Sequence, residues 1–81
     1  MSTLTVNNKV ELEKELRKIK SKNEIPNKIL LRDGNLTYDF IGLGKAADEV
    51  SYRFLAQEDA SMITVKIDNE NSFNVIEIKF S

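Results

Sequence analysis

Lys45-Ala46-Ala47-Asp48-Glu49-Val50-Ser51-Tyr52-Arg53-Phe54-Leu55-Ala56-Gln57 is the stretch on which the fold turns. At helical spacing, Ala46, Ala47, Val50 and Phe54 share one side among good helix formers. At a spacing of two, Val50, Tyr52, Phe54 and Ala56 alternate with Ser51, Arg53 and Gln57, the pattern of a half-buried strand. We favour the alternation, which places a strand over about Glu49 to Gln57. The alternative is a second helix over about 45–58, and a second helix would cover sheet surface that a strand leaves to be covered.

Downstream, Ile63, Val65 and Ile67 point one way and Met62, Thr64 and Lys66 the other, which predicts a strand over Ser61 to Ile67. Asp68-Asn69-Glu70-Asn71 reads as a polar turn. A last strand is expected from about Phe73 to Phe80, with Ile76, Ile78 and Phe80 alternating with Glu77 and Lys79. Phe73 and Val75 are out of phase with Ile76, so the strand either carries a bulge or is apolar on both sides.

Upstream, Leu36, Tyr38 and Phe40 alternate with Thr37 and Asp39 in a strand expected to end near Gly42-Leu43-Gly44. Asp33-Gly34-Asn35 is a tight-turn signal that joins it to Lys28-Ile29-Leu30-Leu31-Arg32, read as a short strand buried on both faces. Pro26 separates that run from an N-terminal helix, because proline cannot continue a helix and restricts the residue before it. Asn8 followed by Glu11 is a capping-box-like start, and the helix is expected over about Lys9 to Ser21, with Leu12, Leu16 and Ile19 on one narrow stripe and Val10 opposite. The reading is therefore α+β: one N-terminal helix packed on a mainly antiparallel four- to five-stranded meander sheet, with residues 1–81 forming a single domain.

The chain has 81 residues, no cysteine and no histidine. Those absences exclude disulfides, thiolate and imidazole metal sites, cysteine nucleophiles and histidine general bases, so no enzyme, no catalytic residue, no metal and no cofactor is expected. The N-terminal residues show no basic region followed by an apolar run, and no apolar stretch approaches the roughly 20 residues of a membrane helix. A cytoplasmic location without membrane contact is expected. The Asn/Lys/Ile-rich composition suggests a bacterial or phage source.

Net charge is −1, but it is unevenly spread: residues 1–32 hold eight Lys or Arg against four Glu, and residues 33–81 hold four against nine Asp or Glu. Gly42-Leu43-Gly44-Lys45 lacks the spacer and hydroxyl of a phosphate loop and reads as turn glycines. The carboxylate pairs Asp48-Glu49, Glu58-Asp59 and Asp68 with Glu70 lack the ligand number of a calcium loop and read as solvated turns. The sequon-like Asn35-Leu36-Thr37 reads as chance.

A flat sheet of five strands is about 20 Å wide, whereas a helix is about 10 Å across, so one helix covers about half of one face. Either the sheet coils around the helix or another protein covers the remainder. The functional expectation is a small non-enzymatic protein-binding module of the inhibitor, antitoxin or immunity type. Its alternatives are a homodimeric structural or assembly subunit, and a weak nucleic-acid binder using the basic helix face. Candidate partner-binding residues are Arg17, Lys18, Lys20 and Lys22 at the basic end of the helix, Tyr52 and Arg53 on the contested strand, and Glu77 and Lys79 on the last strand, whose proline-free edge invites pairing with another chain. The partner is expected to be another protein or a second copy, with nucleic acid disfavoured by the interleaved glutamates.

Overall fold

The structure, a computed structural model, describes residues 2–46, 49–69 and 71–81. Its elements are β1 (Thr3–Val6), α1 (Lys9–Arg17), a single 3₁₀ turn (Lys22–Glu24), β2 (Lys28–Leu31), β3 (Leu36–Ala46), β4 (Glu49–Ala56), β5 (Met62–Ile67) and β6 (Val75–Phe80). Of the contested stretch, Lys45 and Ala46 end β3 and Glu49–Ala56 form β4, so no second helix occupies its described residues, while Ala47 and Asp48 lie outside them. The chain is α+β, but the sheet has six strands in sequential order and is mixed. β1 lies parallel to β2, and every later neighbour is antiparallel. The expected four- to five-stranded meander is thus corrected by one parallel edge strand, made by a β1–α1–β2 crossover.

The helix starts as its sequence dictates. The Asn8 side chain accepts from the Glu11 N–H at 2.9 Å, and the Glu11 carboxylate accepts from the Asn7 N–H at 3.3 Å. It ends at Arg17, earlier than the expected Ser21, because the chain tightens into i→i+3 bonds from Lys18 to the Glu15 carbonyl and from Ile19 to the Leu16 carbonyl. Ile19 still reaches the core, since a spacing of three suits the tighter turn as well as the helix. Glu24 accepts from the Lys20 N–H at 3.0 Å and holds the following turn.

The sheet wraps the helix. Six strands laid flat would span about 24 Å, too wide for both edges to meet a helix about 10 Å across. Yet α1 touches both edge strands, β1 and β6. Arg17 donates to the Val75 carbonyl at 3.5 Å and Lys9 lies 5.1 Å from the Phe80 ring centre, so α1 runs antiparallel alongside β6. Curling thus answers most of the covering problem internally. Leu12, Leu16, Ile29, Tyr38, Phe54, Ile63, Val65 and Ile67 are almost completely buried in one cluster, and no charged side chain is buried among the described residues.

Two β-bulges adjust the faces. In β3, Phe40 pairs with Phe54 and Gly42 with Arg53, leaving Ile41 as the extra residue. β3 therefore continues to Ala46 instead of ending near Gly42, which adopts φ 133°, a value glycine tolerates. In β6, the register shifts so that Ile67 faces Val75 and Lys66 faces Glu77, which decides between the two readings of its phase break in favour of a bulge. β2 is corrected too: Lys28 is exposed and Leu30 half-buried, so this strand is not buried on both faces.

The buried Tyr38 hydroxyl lies 3.0 Å from Ser61 Oγ. Asp59 accepts from the Ser61 N–H at 2.9 Å, and hydrogen bonds from the Ser61 side chain and backbone hold the Asp59 carboxyl below its usual range. Either hydroxyl of this pair can donate, and Ser61 is the partner of the Tyr38 hydroxyl. Ser61→Ala should cost about 1–3 kcal/mol by stranding that hydroxyl, and much less in a Tyr38→Phe background. Urea unfolding of the double-mutant cycle checks this; equal costs in both backgrounds would exclude the bond.

Candidate functional site

The concave side of the sheet carries α1 and is open beyond the helix C-terminus. The β3 bulge determines what stands there. Without Ile41 as an extra residue, alternation would send Leu43 to the convex side; with it, Leu43 pairs with Tyr52 and joins Phe40 and Phe54 on the concave side. Leu43 remains 52% exposed. Around it lies a chain of tilted aromatic contacts: Phe40 to Phe54 at 5.5 Å, Phe40 to Tyr52 at 6.2 Å, and Tyr52 to Phe73 at 5.7 Å between ring centres.

Leu43, Tyr52 and Phe73 floor a cavity of about 600 Å³ whose rim is Lys20, Ser21, Lys22, Asn23 and Asn71. A second recess of about 300 Å³ extends it toward Ile25, Asn27 and Phe40 and shares Lys22, Asn23, Leu43 and Tyr52. Together they form one furrow with an apolar, aromatic floor and a basic and amide rim. Neither Lys20 nor Lys22 has its ammonium in an ion pair among the described residues, whereas Lys18 is held by Glu15 at 3.1 Å. Another recess, of about 270 Å³ beside β1 and the helix end, contains Glu15, Glu24 and Lys18, so its charges are mixed.

The structure separates the sequence-derived candidates into groups. Lys20, Lys22 and Tyr52 come together in the furrow. Arg17 ties α1 to β6, and Lys18, just past the helix end, pairs with Glu15 at the surface. Arg53, Glu77 and Lys79 lie on the convex side, opposite the buried side of their strands. There Lys66 bridges Glu49 at 3.5 Å and Glu77 at 3.2 Å, and its hydrogen bond to Glu77, with the charges of both carboxylates, raises its ammonium pKa above the ordinary value.

Leu43, Asn71 and Phe73 did not stand out in the sequence as site residues. Leu43 was hidden because its direction depends on the bulge. Of the carboxylate pairs, Glu58 accepts from the Thr37 N–H and Asp59 from Ser61, which are turn roles, whereas Asp48 and Glu70 lie outside the described residues. Among the described residues no cluster of metal-ligating side chains occurs, and no helix is long and apolar enough to cross a membrane. No protein-family model, curated protein or solved structure matches the chain.

Proposed function

We propose that this chain is a non-enzymatic protein-binding module of the inhibitor, antitoxin or immunity type, of bacterial or phage origin, and that it holds an acidic segment of its target in the furrow. The observation that carries this reading is the half-exposed Leu43 on an aromatic floor beneath two lysines that have no ion-pair partner among the described residues. Apolar anchors seated in a concave, rigid floor supply affinity, while a ring of like charge selects the partner and speeds encounter.

The extended, acidic partner follows from shape as well as charge. The two joined recesses form a trough rather than a closed cavity, and a trough accommodates a peptide segment better than a compact metabolite. Anisotropy of a labelled peptide, in which glutamates flank a leucine and a phenylalanine, tests the reading at low and high salt. Binding should weaken with salt, and Lys20→Glu with Lys22→Glu should weaken it about tenfold or more. Arg53→Glu, on the convex face, should leave it unchanged. Equal loss with Arg53→Glu, or no binding by the wild type at low salt, would overturn the reading.

A further inference from the structure

The outer edge of β6 is open, and its geometry defines which hydrogen bonds it offers. Met62 and Ser81 exchange both backbone bonds, at 2.7 and 2.9 Å. Antiparallel pairs alternate between bonded and non-bonded, so Lys79, opposite Thr64, directs its N–H and C=O toward β5. The N–H and C=O of Ile78 and Phe80 then point away from the sheet. Among the described residues no backbone group takes them up. Helix α1 occupies the concave side of this strand through Lys9 and Arg17, and Ile76, Glu77 and Lys79 stay exposed.

We propose that this edge pairs with β6 of a second copy of the chain, antiparallel, about a two-fold axis through Ile78. In that register Ile78 meets Ile78 of the second copy as a bonded pair, using the outward N–H and C=O. Glu77 then faces Lys79 of the second copy, and Lys79 faces Glu77 of the second copy, on the convex side. These are non-bonded positions, where side chains lie closest and opposite charges attract most. An axis through Glu77 would oppose two glutamates and an axis through Lys79 two lysines, so charge selects the register centred on Ile78. The existing bridge from Lys66 to Glu77 does not compete, because a carboxylate accepts from several donors. β1, the other edge, has four residues, Thr3–Val6, and no charge with which to set a register.

The closed, self-complementary arrangement yields a dimer with one continuous sheet and leaves both furrows on the concave sides. Sedimentation equilibrium of the intact chain tests it with three proteins. The wild type should be a dimer. Lys79→Glu should weaken association about tenfold or more, because both symmetry-related pairs become repulsive. The swap Glu77→Lys with Lys79→Glu should restore the dimer, since the reversed charges again meet their opposites. Far-UV circular dichroism checks that each variant is folded, and the swap keeps the test decisive if Lys79→Glu alone is not. A wild type that stays monomeric at its highest soluble concentration, growth beyond dimers, or a swap variant that stays monomeric would overturn the proposal.

Discussion

Phe54→Ala should remove a large fraction of the folding stability. Phe54 is completely buried, lies opposite Phe40 on one neighbouring strand and Ile63 on the other, and packs at a tilt against the Phe40 ring with centres 5.5 Å apart. Truncating such a ring costs about 3–5 kcal/mol, the lost transfer energy plus the cavity left behind. A chain of this length has about 4–12 kcal/mol of stability in total. Urea unfolding followed by circular dichroism should show a midpoint shifted far toward zero with Phe54→Ala and a smaller shift with Phe54→Leu. A loss below about 1 kcal/mol would mean that the ring does not sit at the centre of the core.

The second large effect concerns binding, not folding. Leu43→Asp should abolish capture of the glutamate-flanked leucine–phenylalanine peptide while leaving the unfolding midpoint nearly unchanged. A half-exposed side chain contributes little to stability, so the substitution is expected to fall within about 0.5 kcal/mol of neutral. In the bound state the same aspartate would be a desolvated charge on an apolar floor and would face an acidic peptide. Ile41→Asp is the matched control, because Ile41 is 50% exposed against 52% for Leu43 but does not line the furrow. Loss of binding with both substitutions would point to general surface hydrophobicity instead of a site. Retention with both would remove Leu43 from the binding surface.

The way these residues came to be where they are also shows what the sequence discloses. β4 and β5 were legible because their alternation of apolar and polar residues is local and uninterrupted. The helix start was legible because Asn8 and Glu11 make a chemical cap within four residues. Its end was not, since Ile19 lies three residues after Leu16 and satisfies a helix and a 3₁₀ turn alike.

β1 escaped notice because four residues with two apolar side chains, Leu4 and Val6, carry almost no periodic signal. Its parallel pairing with β2 is set by the crossover through α1 rather than by its own residues. The site was legible to the same extent. Lys20, Lys22 and Tyr52 stood out by charge and aromaticity. Leu43 could not, since one extra residue in β3 reverses the side on which it points and neither Gly42 nor Gly44 tells by itself whether a strand ends or bulges.

Curling of the sheet around α1 removes most of the apolar surface that would otherwise call for a partner. The opening that remains on the concave side lies at one end, between the helix C-terminus and the bulged half of β3, and is bordered by Lys20 and Lys22. The central claim is that this furrow, and no other face, is where the chain meets its target. A ¹⁵N–¹H NMR titration with the glutamate-flanked peptide tests it most directly. Shifts concentrated at residues 20–23 and at Leu43, Tyr52, Asn71 and Phe73 are the predicted result. Shifts centred on Arg53, Thr64 and Lys66 of the convex face, or none at low salt, would contradict it.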